Sequence, residues 1–173
     1  MKTKQFLKVG VLALTFFITT NLTAQDKTIV ETAVANENFS TLVAALSAGE
    51  LVDALSAEGP FTVFAPTNDA FEKLPVGTLE SLLKPENKKT LQAILTYHVV
   101  AGDVKASDLI GLIKKNNGKA MVKTLSGKML TAQLKEGSTY LVDENGNWSK
   151  ISATDLNQKN GIIHVIDSVV LPK

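Results

Sequence analysis

Five turn dipeptides punctuate the second half of this chain: Asn117-Gly118, Ser126-Gly127, Glu136-Gly137, Asn145-Gly146 and Asn160-Gly161. Asn-Gly pairs suit tight hairpin turns, because both central residues take positive φ. Spaced about ten residues apart, such signals leave room only for short strands between them. Residues 118–173 are therefore expected to form mostly strands, with Ile162–Leu171 the most apolar and central one.

The first half reads differently. Ile29, Ala33 and Val34 fit one helix face, and Phe39, Leu42, Val43 and Leu46 fit a second, with Ser40 or Asn38 as its cap. Gly49 ends that helix, and Gly59-Pro60 closes a short third one. Phe61–Ala65 has the aromatic and β-branched content of a strand, which Pro66 stops. Thr67 or Asn68 caps a helix over Asp69–Lys73. Asn87–Thr96 is a further helix, Tyr97–Val100 a strand leaving it, and Ser107 the cap of a helix over Asp108–Lys115. Helices followed by strands give an α+β domain.

The chain has no Cys, so disulfides, thiolate metal sites and thiol nucleophiles are excluded. With 45% apolar residues in 173, a core alone can hold the fold. All 18 basic residues are Lys, none is Arg, and the formal charge is +1. No basic block or aromatic-plus-basic stripe points to nucleic acid. Lys2, Lys4 and Lys8 precede an apolar run over Val9–Ile18, then small and polar residues ending Leu22-Thr23-Ala24. That order is expected of an export signal over residues 1–24, cleaved before Gln25. The run is too short to span a bilayer as a helix. Residues 25–173 would then be one domain, secreted, periplasmic or at the cell surface, with no stable membrane insertion after cleavage.

Three segments, Phe61-Thr62-Val63-Phe64-Ala65-Pro66-Thr67-Asn68-Asp69-Ala70-Phe71, Tyr97-His98-Val99-Val100 and Gly161-Ile162-Ile163-His164-Val165-Ile166-Asp167-Ser168-Val169-Val170-Leu171-Pro172, resemble the signature blocks of the fasciclin domain family in order and spacing. The resemblance covers essentially all of residues 26–173 and suggests a secreted, single-domain bacterial member. It implies N-terminal helices packed on a wedge of two β-sheets, and roles in cell adhesion or in matrix and polysaccharide association. The residues explain part of the first block. A strand stops at Pro66, Thr67, Asn68 and Asp69 satisfy orphan amides at a helix start, and Phe71 folds back as an apolar plug. Thr67, Asn68, Asp69, Phe71 and His164 are thus expected to be structural.

Few residues offer chemistry. His98 and His164 are the only histidines, and each sits among apolar residues, where a buried, hydrogen-bonded ring is expected. Asp69 is a candidate partner for His98. Tyr97 lies in the element that the family resemblance ties to integrin-dependent adhesion, although a packed ring with a bonded hydroxyl is the simpler expectation and the chain has no Arg-Gly-Asp. Asp143-Glu144-Asn145-Gly146-Asn147 lacks the ligand ladder of a calcium loop and reads as a hairpin turn. Trp148, the only Trp, either stacks on a sugar ring or closes one end of the sandwich. Tyr97, His98 and Trp148 are the ligand or adhesion candidates. No nucleophile elbow, phosphate loop, dinucleotide fingerprint or zinc motif is present.

The expected function is a non-catalytic extracellular binding or adhesion module, probing a surface or matrix protein or polysaccharide as a monomer without cofactor or metal. Two alternatives are a carrier of a small apolar ligand such as a pigment or lipid, and a structural envelope protein with no discrete ligand.

Overall fold

The computed structural model describes residues 26–173, so the expected export signal lies outside the described residues. Six short helices precede most of the sheet: α1 (Ile29–Val34), α2 (Ser40–Ala48), α3 (Val52–Ser56), α4 (Asn68–Glu72), α5 (Thr78–Leu82) and α6 (Lys88–Tyr97). Strand β1 (Phe61–Pro66) lies between α3 and α4, and β2 (Val99–Ala101) follows α6. Helix α7 (Ala106–Lys115) leads into β3 (Lys119–Lys123), β4 (Met129–Lys135), β5 (Ser138–Val142), β6 (Trp148–Gln158) and β7 (Gly161–Ile166).

The strands run in the order β2-β1-β7-β6-β5-β4-β3. Strand β6 is shared. Its start, Trp148–Lys150, pairs with β5, and its remainder, from Ile151 to Gln158, pairs with β7 across two register shifts. The sheet therefore bends at β6 into two parts, the expected wedge. A bridge between Val100 and Thr124 draws the two ends of the order together.

Sequence pattern and burial agree strand by strand. β1 and β7 are parallel neighbours covered on both faces, which is why they read as continuous apolar runs. Val63, Ala65 and Ile163 face a core built with α1, α2, α4 and α6. Phe64 and Ile166 face a second core inside the wedge, with Tyr97, Leu109, Ile113, Leu130 and Leu141. β3 instead alternates buried and exposed positions, as a one-sided strand should.

Several local expectations are corrected. Val34 is 63% exposed and Val30 is buried instead: with 3.6 residues per turn, Ile29, Ala33 and Val30 share one arc of α1 and Val34 falls beyond its edge. Tyr97 and His98 end helix α6 and do not form a strand. The strand starts at Val99. The C-terminal strand stops at Ile166, after which Val169 and Val170 remain buried in irregular backbone. Glu136-Gly137 forms the expected hairpin turn with both φ positive, but Asn117-Gly118, also with both positive, joins α7 to β3. Gly161 opens β7 beside Phe61. A Cβ there would lie 1.9 Å from the Phe61 carbonyl oxygen. α7 begins at Ala106, not after Ser107. Its Ala106 amide donates to Asp155 Oδ1 (2.9 Å), and the Lys105 amide donates to Asp108 Oδ2 (3.2 Å).

Candidate functional site

Among the described residues, the alternate positions of β3–β5 and the start of β6 that point away from the wedge core are exposed or half-buried. Their register places Met121, Thr131, Val142 and Trp148 in one row across four strands. The next row is Lys119, Gln133, Tyr140 and Lys150. Lys123 and Lys135 flank these rows on β3 and β4. A shallow open groove of about 640 Å³ runs over Asn116, Lys119, Met121, Thr131, Gln133 and Val142.

Trp148 is 44% exposed and Met121 63%. An isolated exposed Trp would be free to turn, but this one is braced. Tyr140 meets it edge-on, with ring centroids 5.7 Å apart, and Lys135 Nζ stands 5.5 Å from its ring centre. The preceding turn holds its start. Asp143 is buried, and its carboxylate accepts from the amides of Asn145 (2.9 Å), Asn147 (2.8 Å) and Leu171 (3.0 Å) and from Asn147 Nδ2 (3.0 Å). Four donors occupy that carboxylate, and these hydrogen bonds hold the turn. Among the described residues, no group of three or more His, Asp or Glu could hold a metal ion.

The other two ligand candidates lie inside. Tyr97 is fully buried in the wedge core, and its hydroxyl donates to the Met129 carbonyl (3.0 Å). Burial first, then the Glu144 and Asp143 charges, push its pKa up to about 12, so it stays a donor. His98 is buried at the end of α6. Its Nδ1 donates to the Ile94 carbonyl (2.8 Å), and its Nε2 accepts from the Val170 amide (3.2 Å). Burial lowers its pKa to about 4, so the ring is neutral. Asp69 is exposed in the first turn of α4 and does not partner His98, whose two nitrogens are both occupied by backbone. Neither Tyr97 nor His98 can touch a ligand without opening the core.

The comparison with known proteins follows this geometry. A model of the fasciclin domain matches residues 37–172. The chain belongs to the fasciclin domain family. It is 53% identical over 145 residues to protein sll1483 of Synechocystis sp., covering 84% of this chain and 73% of that protein. It is 35% identical over 159 residues to the immunogenic protein MPT70 of Mycobacterium tuberculosis, covering 86% of this chain and 70% of the relative. Among solved structures, a domain pair from the insect cell adhesion molecule fasciclin I superposes with a TM-score of 0.76 at 19% identity. That match covers 85% of this chain and 51% of the pair's chain.

The signature residues of this fasciclin domain tie elements together. Thr67 caps its own helix, accepting from the Ala70 amide (3.4 Å). Asn68 reaches a different one. Its Oδ1 accepts from the Thr41 amide (3.0 Å) at the start of α2, and its Nδ2 donates to the Glu37 carbonyl (2.8 Å). Asn68 therefore caps α2 from outside, in place of the expected Ser40 or Asn38. Phe71 is buried against the helix core. His164 stacks on Phe64 with centroids 5.5 Å apart, donates from Nε2 to the Val104 carbonyl (2.8 Å), and accepts the Asp155 amide on Nδ1 (3.3 Å).

Asn160 looks from sequence like a turn residue beside Gly161, but it does more. Asn160 is buried and joins three segments. Its Oδ1 accepts from the Ile29 amide (2.9 Å), and its Nδ2 donates to the carbonyls of Leu55 (2.8 Å) and Ala57 (3.0 Å). Tyr140 and Met121 on the outer face have no local sequence signal that marks them as functional. A register of β3–β6 drawn from the turn signals was the one clue that could have grouped them with Trp148.

Proposed function

We propose that this fasciclin domain is an exported, non-catalytic attachment module that holds a surface or matrix polysaccharide or protein on the outer face of β3–β6. The observation that carries the reading is the braced Trp148. A half-exposed aromatic ring, fixed by Tyr140 and Lys135 and bordered by an open groove, offers stacking area at little entropic cost. Membership of the fasciclin family supports adhesion as the general role. The leader-like first segment supports export.

A carrier of a pigment or lipid finds less support. The apolar space between the helices and the sheet, lined by Leu46, Leu95, His98, Val99 and Ile163 among others, measures about 20 Å³. Small-molecule pockets run to roughly 300–1,000 Å³. A polar recess of about 610 Å³ around Glu58, Asp103 and Lys159 has no aromatic ring in its lining to stack on a ligand.

The test is saturable binding of the purified protein to washed producer cells and to their extracted surface polysaccharide. Trp148→Ala is expected to weaken binding at least tenfold, while Val76→Ala, on a fully exposed residue away from this face, leaves it unchanged. Equal binding by all three proteins, with folding verified by circular dichroism, would move the site off this face.

A further inference from the structure

The outward positions of β3, β4 and β5, and of β6 where it pairs with β5, carry four lysines and no carboxylate. Lys119 and Lys123 stand on β3, Lys135 on β4 and Lys150 on β6. The other outward positions, Met121, Thr131, Gln133, Ser138, Tyr140 and Val142, are neutral. The nearby acids stand off these strand rows. Asp167, just past β7, accepts from the Lys150 amide on Oδ1 (2.8 Å) and pairs with Lys73 (3.6 Å). Asp143 points its carboxylate into the turn, and Glu144 pairs with Lys128 (3.1 Å). Glu136 sits at the tip of the β4–β5 turn.

This local excess runs against the rest of the molecule. Residues 26–115 hold eight lysines and twelve carboxylates, whereas residues 116–173 hold seven lysines and five. The stretch that holds the helices with β1 and β2 is thus net acidic, and the stretch that holds β3–β7 is net basic. A polyanion is repelled by one stretch and drawn to the other, which orients its approach.

The cations also have a spacing. Strands lie about 4.8 Å apart, so Lys119 and Lys150, three strands apart in one row, stand roughly 14 Å from each other. Lys119 and Lys123, four residues apart on β3, are separated by roughly 14 Å along the strand. Between them lie an aromatic pair and the hydroxyl and amide groups of Thr131, Gln133, Ser138 and Tyr140. Charges at the border of a neutral, hydrogen-bonding and aromatic floor match a chain of sugar rings that carries a carboxylate at intervals. A continuous phosphate track would call for a continuous basic row, and the chain holds no Arg to fork onto phosphate.

We propose that the β3–β6 face binds a linear acidic polysaccharide. Sugar rings stack on Trp148 beside Tyr140, and their carboxylates pair with Lys119, Lys123, Lys135 and Lys150. Lys135, which rests over the Trp148 ring in the free protein, exchanges that contact for a sugar carboxylate. The inference rests on the attachment reading above and adds the chemical class of the ligand.

The experiment titrates the purified full-length product with polyuronate oligomers, with an uncharged dextran of similar length, and with single-stranded oligothymidylate. Trp148 is the only Trp, so its fluorescence reports this face alone. The expected result is a saturable fluorescence change with polyuronate that weakens at least tenfold between about 0.02 M and about 0.5 M salt. The Lys119→Gln/Lys150→Gln double variant is expected to lose at least tenfold in affinity with an unchanged unfolding midpoint. Dextran should bind at least tenfold more weakly than polyuronate. Equal binding of dextran and polyuronate, untouched by the Lys variant, overturns the acidic class while leaving the attachment face in place. Equal binding of oligothymidylate overturns the polysaccharide class. Cell attachment that depends on Trp148, in a protein that ignores polyuronate, also overturns it. Attachment insensitive to Trp148→Ala is instead the failure of the underlying reading.

Discussion

Replacing Asn160 with alanine is expected to cost about 3 kcal/mol of folding stability, at about 1 kcal/mol for each of its three side-chain hydrogen bonds. Those bonds reach Ile29, Leu55 and Ala57 at sequence separations of 131, 105 and 103 residues, so they clamp α1 and the end of α3 onto the β6–β7 corner. Aspartate is nearly the same shape but tests the donor side. It keeps the acceptor for the Ile29 amide and turns a carboxylate oxygen towards the Leu55 and Ala57 carbonyls, two acceptors with no proton between. A buried charge facing acceptors costs more than an empty site. The expected order of stability at pH 7 is therefore wild type, then Asn160→Ala, then Asn160→Asp. Urea unfolding followed by circular dichroism measures it, with an unchanged m-value confirming that the surface exposed on unfolding is the same. Against the roughly 5–15 kcal/mol typical of a domain, either loss is a large share of the total. An Asn160→Ala midpoint equal to wild type, or an aspartate variant more stable than the alanine one, would refute the reasoning.

Three further outcomes follow from groups bonded to the backbone. His98 titrates at about 4 in the fold and near 6.5 when unfolded, because burial disfavours its cation. Between those values the unfolded chain takes a proton that the native chain refuses, so stability falls as pH drops from about 6.5 to about 4 and is retained above that window. The two values lie about 2.5 pH units apart, a loss of about 3 kcal/mol. Comparing unfolding midpoints of wild type and His98→Gln across pH 4–7 checks it, and a parallel slope in both would contradict it. Nitrogen-15 spectra at pH 7 should show His98 protonated on Nδ1 and His164 on Nε2, as their backbone partners require. Asn68→Ala is expected to cost about 1–2 kcal/mol, the range for losing a helix cap. Asn68→Asp keeps the acceptor for the Thr41 amide and sets its other oxygen against the Glu37 carbonyl. This site is partly open to water, which screens that repulsion as it cannot at buried Asn160, so the aspartate should cost less than alanine.

The sequence carried the fold where local chemistry and final structure agree. Pro66 and Thr67 stop a strand and start a helix on their own residues, and Glu136-Gly137 makes its turn with its own φ angles. Periodicity fails where a partner from far along the chain decides. α2 is capped by Asn68 from a later helix, and α7 by Asp155 from β6. No window of sequence around either helix contains those atoms. Tyr97 and His98 look like strand residues by type, yet their buried rings end a helix because the Met129 and Val170 backbones offer partners there. Trp148 was legible as a lone aromatic beside a turn. Its companions were not, because Tyr140 and Met121 join it only through the register of β3, β4, β5 and β6.

The most direct test of the central claim is amide chemical-shift mapping of the nitrogen-15-labelled protein as the producer's surface polysaccharide is added. Shifts are expected to concentrate at residues 119–123, 129–135, 138–142 and 148–150, with the Trp148 indole among the largest. Shifts concentrated on α1–α6, with the Trp148 indole unmoved, would contradict the assignment of the binding face.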